Sequence, residues 1–162
     1  MDLLPAERPR NAGCGNNARP EIDMNILIVE ARYHPDVTQA LVDSATAALE
    51  KGGATFERVA VPGVLELPAA IAIAVKSPRP FDGYVALGSV AGHAQTTNMF
   101  YAETMRGLVT LSSMGIALGQ GIVLASDEGS ARDLAMTHDI GGDAARACLA
   151  LVTFGERLGY MR

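Results

Sequence analysis

The chain has 162 residues, a length typical of one domain with room for a sizeable core. Apolar residues make up 49% of it and aromatic residues only 5%, so the core is expected to consist of Ala, Val, Leu and Ile. The formal net charge of −5 argues against a nucleic-acid backbone or an anionic membrane as a partner, because either requires clustered Lys and Arg.

Two further features concern the location and the chemistry of the protein. No apolar run in the sequence approaches the length of a membrane span, and the N-terminus lacks a cationic segment followed by an apolar one. Cys14 and Cys148 are far apart and have no metal-ligand spacing. We therefore expect a cytoplasmic protein without a metal site.

The N-terminal segment has a different composition from the rest of the chain. Residues 1–23 contain Pro5, Pro9 and Pro20 and almost no periodic apolar content. This composition predicts a flexible tail, or an arm that becomes ordered only against a neighbouring subunit. The folded domain is predicted to comprise residues 24–162.

The first half of this domain alternates between strand and helix patterns. Residues 26–29 form a continuous apolar run, which is typical of a strand covered on both faces. Apolar residues then recur at helical spacing over residues 37–49, before two glycines end the helix. Residues 56–61 are the second predicted strand, and residues 67–75 are the second predicted helix, which is stopped by prolines.

The second half repeats the alternation. The third predicted strand covers residues 83–87, a loop covers residues 88–97, and apolar spacing over residues 102–112 predicts the third helix. The fourth predicted strand covers residues 116–125, with interruptions at Gly119 and Gly121. Two more helices are predicted, a short one near residues 130–136 and a longer one over residues 143–158, with Gly141 and Gly142 between them.

The order of these elements predicts the fold class. Four strand–helix units followed by one more helix require a parallel sheet with right-handed crossovers. The expected α/β architecture is a three-layer αβα sandwich of flavodoxin-like type, with a four-stranded parallel sheet and helices on both faces.

In such a fold the loops after all four strands meet at one edge of the sheet. These loops are residues 33–34, 61–66, 88–97 and 126–132, and they supply an aromatic ring, a carboxylate, a turn rich in glycine and hydroxyl groups, and a cation. This combination suits a small polar ligand with a flat ring and an anionic group, but it does not identify the ligand.

Several segments of the chain resemble the lumazine synthase family, over residues 25–159. Residues 31–33, Ala-Arg-Tyr, resemble the Ala-Arg-aromatic loop of that family, and residues 86–90, Ala-Leu-Gly-Ser-Val, resemble its Leu-Gly-Ala-Val. The most specific match is Val-Pro-Gly-Val-Leu-Glu-Leu-Pro at residues 61–68, which resembles Val-Pro-Gly-x-x-Glu-Ile-Pro. Residues 141–145, Gly-Gly-Asp-Ala-Ala, resemble the start of the family's last helix.

The resemblance implies a reaction and an assembly. The reaction is the condensation of 5-amino-6-(D-ribitylamino)uracil with 3,4-dihydroxy-2-butanone 4-phosphate, and it implies neither an organic cofactor nor a metal. An amine adds to a ketone, phosphate is eliminated, and the ring closes with loss of water. The family builds its sites between adjacent subunits, so we expect a homo-oligomer that is a pentamer or a multiple of one.

The resemblance also implies roles for residues after the first two strands. Tyr33 would stack on the pyrimidine, and Glu66 would accept hydrogen bonds from ribityl hydroxyls. Val64 and Leu65 would contribute backbone groups. Without a ligand, Tyr33 would be an exposed aromatic residue at the sheet edge, and Glu66 a carboxylate that favours a helix N-terminus.

Residues after the third and fourth strands have implied roles as well. Gly88, Ser89 and Val90 would present backbone donors and acceptors to the uracil edge, although a glycine after a strand is also ordinary in turns. Arg132 would bind phosphate through its planar guanidinium. Without this role, Arg132 would be a solvated arginine on a helix surface.

The third loop departs from the family pattern Arg-Gly-Glu-Thr-x-His-Phe, in which Gly-Thr binds phosphate and the histidine moves protons. Residues 91–100 read Ala-Gly-His-Ala-Gln-Thr-Thr-Asn-Met-Phe, so the histidine position falls near Thr96 or Thr97. His93 lies earlier and is either the proton-moving group of a rebuilt loop or an exposed loop histidine. We predict His93 and Arg132 as catalytic residues, and Thr96 and Thr97 with the helix N-terminus as phosphate ligands.

Two positions outside this loop also differ from the family. Ile140 stands where the family has lysine, and Gln120 stands where many members have an aromatic residue; Gln120 is kept as a substrate-binding candidate. These departures leave two hypotheses open. The protein is either an active, slower lumazine synthase, or a homologue that binds flavin or lumazine or forms a shell without efficient catalysis. A mononucleotide-binding flavodoxin relative is disfavoured, because no hydroxyl-rich phosphate loop follows the first strand.

Overall fold

The structure, a computed structural model, describes residues 24–79 and 81–160. The predicted tail, residues 1–23, lies outside the described residues. The strands are β1 (Asn25–Ala31), β2 (Thr55–Val61), β3 (Gly83–Ala91) and β4 (Leu118–Ala125). The helices are α1 (Pro35–Lys51), α2 (Leu67–Val75), α3 (Ala94–Ser113), α4 (Glu128–Thr137) and α5 (Ile140–Arg157), and a 3-10 turn at Val64–Glu66 precedes α2.

The four strands form one parallel sheet in the order β2-β1-β3-β4. Successive side chains of a strand point to opposite faces of the sheet. In β1, Ile26 and Ile28 join an apolar cluster with α1, α4 and α5, whereas Leu27 and Val29 join a second cluster with α2 and α3. The predicted flavodoxin-like sandwich, with helices on both faces of a four-stranded sheet, is therefore confirmed.

The glycines of β4 do not interrupt the strand, contrary to the prediction from the sequence. β4 is continuous, and Gly119 and Gly121 pair with Val85 and Leu87 of β3. A Cβ atom at Gly119 would collide with the carbonyl oxygen of Ala144 in α5. The missing side chain therefore allows α5 to pack directly on the strand.

The start of α5 also differs from the prediction. The helix begins at Ile140, so Gly141 and Gly142 lie in its first turn rather than before it. A Cβ atom at Gly141 would collide with the carbonyl oxygen of Leu41 in α1. The predicted break at these glycines is wrong, because they permit a close helix–helix contact instead of ending a helix.

The connection between β3 and α3 is much shorter than predicted. β3 continues through residue 91 and α3 begins at residue 94, so the loop predicted over residues 88–97 is reduced to Gly92 and His93. Gly92 has a φ of +135°, which side chains of L-residues rarely allow. The turn into α3 is therefore made at a position that requires glycine.

A buried carboxylate joins β1 to β2. Glu30 is 2% exposed, and Arg58 donates from Nε and Nη2 to its two carboxylate oxygens, each at 3.2 Å. Arg32 donates to Oε1 of the same carboxylate at 3.2 Å. These bonds supply the charge and the hydrogen bonds that a buried carboxylate requires.

Within residues 24–79 and 81–160, no helix is both long enough and apolar enough to cross a membrane.

Candidate active site

A cavity lies at the carboxyl edge of the sheet, between the segments that follow β1 and β2, the end of β3 and the start of α3. Its volume is about 330 Å³, a size suited to a small molecule. The lining residues are Tyr33, His34, Gly63, Val64, Leu65, Glu66, Ser89, Val90, Ala91, His93, Thr96, Thr97 and Phe100.

Tyr33 and Glu66 lie on different loops and line the same cavity. Tyr33 follows β1 and is 74% exposed, so its ring is available for stacking. Glu66 ends the 3-10 turn after β2, is exposed, and does not cap α2 with its side chain. Neither side chain is needed inside the core, so both are free to contact a ligand.

His34 and Ser89 form a buried hydrogen bond across the cavity wall. Nδ1 of His34 lies 2.9 Å from Oγ of Ser89 in β3, and the two residues are 9% and 4% exposed. The His34 ring also meets the Tyr33 ring edge-to-face, with 4.9 Å between the ring centroids. The aromatic residue of this loop is thus braced by a histidine that is itself held by the sheet.

The start of α3 contributes His93, Thr96 and Thr97. His93 is exposed at the N-cap position and makes no side-chain cap. The hydroxyl of Thr97 donates to the carbonyl oxygen of His93 at 2.9 Å, so helix backbone already occupies it. Thr96 is exposed, and the first N–H groups of α3 lack partners within the helix. This helix start provides donors suited to an anion.

A second, more open cavity adjoins the first at His93 and Thr97. Ser126 lines its far side and donates its hydroxyl to Asp127 at 2.9 Å. Asp127 also accepts from the backbone N–H of Ser130 at 2.8 Å and caps α4. Hydrogen bonds from the Ser130 N–H and hydroxyl and from the Ser126 hydroxyl lower the pKa of the Asp127 carboxyl. This carboxylate therefore stays ionised, and the Ser126 and Ser130 hydroxyls are already bonded to it at the N-terminus of α4.

Comparison with known proteins identifies the family of the chain. A family model described as 6,7-dimethyl-8-ribityllumazine synthase matches residues 23–156. The chain belongs to the lumazine synthase family. The match includes all four strands and the entire wall of the cavity.

Relatives of the same description match most of the chain. The 6,7-dimethyl-8-ribityllumazine synthase 1 of Mesorhizobium japonicum is 39% identical over 149 residues, which cover 87% of this chain and 91% of the relative. The 6,7-dimethyl-8-ribityllumazine synthase of Sphingopyxis alaskensis is 41% identical over 138 residues, 83% of this chain and 97% of the relative. The 6,7-dimethyl-8-ribityllumazine synthase of Novosphingobium aromaticivorans is 42% identical over 134 residues, which cover 81% of this chain and 96% of the relative.

Three residues that the lumazine synthase resemblance singles out do not line the cavity of a single chain. Gly88 lies beneath it, where a Cβ atom would come within 3.0 Å of both Ala31 and Val64. Gln120 lies on β4, and its Oε1 is buried without a hydrogen-bond partner among the described residues. Arg132 lies on α4, exposed, with Nη1 3.7 Å from the carboxylate of Asp36.

Four lining residues were not among the site residues predicted from the sequence. They are His34, Gly63, Ala91 and Phe100. Phe100 lies one turn after Thr96 and Thr97 on α3, so helical spacing could have found it if the start of α3 had been predicted correctly. The pairing of His34 with Ser89 had no local signal, because 55 residues separate the two in sequence.

Among residues 24–79 and 81–160, no three His, Cys, Asp or Glu side chains are grouped so that they could hold a metal ion.

Proposed function

We propose that the protein is a 6,7-dimethyl-8-ribityllumazine synthase of riboflavin biosynthesis, working in the cytoplasm. This transferase condenses 5-amino-6-(D-ribitylamino)uracil with 3,4-dihydroxy-2-butanone 4-phosphate. Relatives of that name at about 40% identity over most of both chains support the proposal. The observation that carries it is a single cavity in which an exposed aromatic ring, an exposed carboxylate and the end of a central strand meet.

The cavity offers a place for each part of the pyrimidine substrate. The uracil ring lies against Tyr33, and the ribityl chain extends toward Glu66, whose carboxylate accepts hydrogen bonds from its hydroxyls. Backbone groups of Ser89 and Val90 face the polar edge of the uracil, and those of Val64 and Leu65 bind from the other side. Fixing the ring in this way places the reacting amine against the second substrate.

The phosphate of the second substrate belongs at the start of α3. Free backbone N–H groups and the exposed Thr96 hydroxyl there favour an anion. Thr97 helps to shape this helix start rather than donating to the phosphate, because its hydroxyl and its backbone N–H both donate to the carbonyl oxygen of His93, at 2.9 and 3.0 Å. His93 stands at the same place and can move protons between the amine, the carbonyl oxygen and the leaving groups.

Arg132 and Gln120 are assigned to the site through assembly. They lie away from the cavity of their own chain, and we propose that a neighbouring copy supplies them in a pentamer or a multiple of one. Exposed apolar side chains on α3, on α5 and at the C-cap of α5 support such packing; they include Val109, Leu151, Phe154 and Leu158. The guanidinium of Arg132 would then bind the phosphate as it leaves.

The direct test is the reaction itself. Purified full-length chain is mixed with both substrates, and the absorbance of the lumazine product is followed. We expect turnover that is lost in Glu66→Ala and kept in Glu57→Ala, a carboxylate on the exposed strand β2 that does not line the cavity. A wild-type rate equal to the uncatalysed background would reject the proposal.

The altered loop before α3 favours a second candidate, a homologue that binds flavin or lumazine or forms a shell without efficient turnover. Its motivation is that residues 91–100 do not place a histidine at the family's position. Titration calorimetry with riboflavin and with the lumazine separates the two. Micromolar binding without turnover supports this candidate, and absence of binding rejects it.

A further inference from the structure

His34 occupies a position that ordinarily stabilises a helix, and it does not do so. It is the N-cap residue of α1, where Ser, Thr, Asp or Asn would accept a backbone hydrogen bond, yet its side chain makes none. Pro35 follows at the first helical position and keeps His34 extended, at φ −116° and ψ 90°. The ring instead turns toward β3, where it bonds Ser89. The residue at this position therefore does not follow the usual preference for a capping side chain, and such exceptions are expected at functional sites.

The second ring nitrogen of His34, Nε2, is not used by the contact with Ser89. Nδ1 is bonded to Ser89, and Nε2 has no hydrogen-bond partner among the described residues. The residue is 9% exposed and lines the cavity, so the ring nitrogen that Ser89 does not hold is the one that a ligand in the cavity can use.

We propose that His34 transfers protons in the cavity and that Ser89 sets its tautomer. Nδ1 of His34 lies 2.9 Å from Oγ of Ser89. In the proposed tautomer the Nδ1–H donates to this oxygen, so that Nε2 carries the lone pair that accepts a proton from the substrate amine. This role rests on the proposed synthase function and goes beyond the sequence prediction, in which His93 moves the protons. His93 is exposed and its side chain has no cap contact, whereas the His34 ring is bonded to Ser89 and contacts the ring of Tyr33.

The proton balance of the first condensation step needs one such group. As the amine nitrogen bonds the ketone carbon, the carbonyl π pair moves to oxygen, and Nε2 takes a proton from the nitrogen. His34 then returns that proton to the oxygen, so that a carbinolamine forms with the histidine neutral again. Transfer of the second N–H proton to the same hydroxyl, by the same route, releases water and leaves a carbon–nitrogen double bond.

Other titratable groups share this cavity and would contribute to any pH profile. They are Tyr33 on the same loop, Glu66 on the turn after β2, and His93 at the start of α3; β3 contributes the neutral Ser89. Asp36 of α1 and Arg132 of α4 pair with each other and do not line the cavity. The contribution of His34 is therefore isolated by comparing profiles with and without this residue.

The decisive variant is His34→Asn. Asparagine is a good N-cap, so a role limited to starting α1 predicts unchanged or higher stability and unchanged kcat. A role limited to bracing Tyr33 predicts weaker binding instead, with kcat changed little. Proton transfer predicts a loss of about 10²–10³-fold in kcat, with product binding changed less than about threefold. The acidic limb of kcat against pH should also disappear. Ser89→Ala, which removes only the tautomer-setting partner, should lose about tenfold.

Two further samples keep the test decisive. His138→Asn, at the exposed C-terminal end of α4, replaces the one remaining histidine of the chain and should keep wild-type kcat. His34→Ala should regain at least tenfold activity with added imidazole, which can fill the space left behind. Added imidazole should not change the activity of His138→Asn. Rescue of His34→Ala alone supports the role of His34 even if His34→Asn proves unstable.

The outcomes separate the two proposals. An active wild type whose His34→Asn variant keeps kcat within about threefold overturns the role of His34 and leaves the synthase function standing. The role of His34 is likewise overturned if His34→Ala is folded, inactive and not rescued by imidazole. A wild type without turnover rejects the synthase function and this role together.

Discussion

Tyr33 and Glu66 are exposed side chains that make no contribution to the core. Tyr33 is 74% exposed, and its described ring contact is with its neighbour His34. Glu66 leaves the N-terminus of α2 without a side-chain cap. Because the fold does not need either group, substitutions at both positions should change binding much more than stability.

Tyr33→Ala should weaken binding of the ribityl-pyrimidine about tenfold, because loss of ring stacking costs about 1.4 kcal/mol. The melting temperature should stay within about 2 °C of wild type. Titration calorimetry measures the affinity, and Tyr160→Ala, an equally exposed tyrosine far from the cavity, is the matched control. An affinity unchanged by Tyr33→Ala would contradict the stacking role.

Cys148 should be unreactive in the folded protein. Burial raises the pKa of its thiol to about 12, against the backbone hydrogen bonds of Tyr84 and Gly119, which lower it. At pH 8 only about one molecule in 10⁴ would then carry the thiolate, the form that reacts with disulfide reagents. In a Cys14→Ser background, thiol titration should detect no fast group until denaturant is added.

The same raised pKa has a consequence for stability. The folded thiol keeps its proton above the ordinary thiol pKa of 9.0, so its contribution is complete below that pH and is lost as the pH rises toward about 12. Unfolding free energies should therefore fall over this alkaline range more in the Cys14→Ser protein than in one that also carries Cys148→Ala. Parallel curves would show that the thiol ionises equally in both states.

At the scale of elements, the packing of α5 depends on glycines at its contacts. Gly119 of β4 lies against the backbone of α5, and Gly141 of α5 lies against the backbone of α1. Contacts of this kind bring backbones closer than side chains would permit, and a rigid helix cannot shift away from one of them alone.

Gly119→Ala should therefore lower the free energy of unfolding by about 1–3 kcal/mol, the usual cost of overpacking a core. Urea unfolding at a constant protein concentration measures it. Gly129→Ala on α4 is the control, because among the described residues its Cβ atom would meet the side chain of Asp127, at 3.2 Å, and no backbone of another element. A replaced helix glycine should gain up to about 1 kcal/mol there. Equal destabilisation by both changes would refute the close-packing argument.

The ion pair between β1 and β2 gives a second prediction at this scale. Arg58→Met leaves the buried Glu30 with Arg32 as its one remaining described partner. The cost should be about 1–3 kcal/mol, below the roughly 3–5 kcal/mol typical of a fully buried pair, because Arg58 is partly exposed. Arg106→Met removes an exposed pair with Glu103 and should cost less than about 0.5 kcal/mol. Chemical denaturation measures the free energy of unfolding of both variants. Similar losses in Arg58→Met and Arg106→Met would contradict the importance of the buried pair.

At the scale of the whole molecule, the cavity of one chain lacks two of the residues that we propose for the site. The cavity holds a ring, a carboxylate and a helix N-terminus, but Arg132 and Gln120 lie elsewhere. If a neighbouring copy supplies them, two different inactive variants can repair each other in a mixed assembly, because one site combines residues of two chains.

Glu66→Ala and Arg132→Ala should each lose activity, and their co-assembled mixture should regain it in about one quarter of the sites, as random assembly predicts. Separate affinity tags on the two variants isolate the mixed oligomers for assay. Homo-oligomers of each variant, treated identically, provide the baseline. Mixed oligomers as inactive as this baseline would mean that both residues act within one chain.

The fold could be predicted from the sequence because its determinants are local. Apolar runs and helical spacing indicate four strands in the correct chain order, and the parallel sheet follows from their alternation with helices. The errors occur at glycines. The sequence suggests that a strand or helix is interrupted at Gly88, Gly119 and Gly141. In the structure, each of them lies inside a strand or helix, at a close contact with a neighbouring element. Sequence alone shows that a side chain is missing, but not which neighbour uses the space.

The candidate site could be predicted only in part, for a related reason. Tyr33 and Glu66 belong to contiguous motifs, and the structure brings both to the cavity. His34 was missed because its meaning depends on Ser89, which belongs to another strand. Such a pair exists only after the sheet has formed, so no window of the sequence contains it.

The two-residue connection at Gly92 and His93 has a consequence for variation among such proteins. A helix turns by about 100° for each residue, so inserting or deleting a single residue here would rotate a different side of α3 toward the ligand. Substrate contacts could then change without any substitution in the helix itself. Aligned residues of α3 in two proteins can therefore be compared as substrate contacts only when this connection has the same length in both proteins.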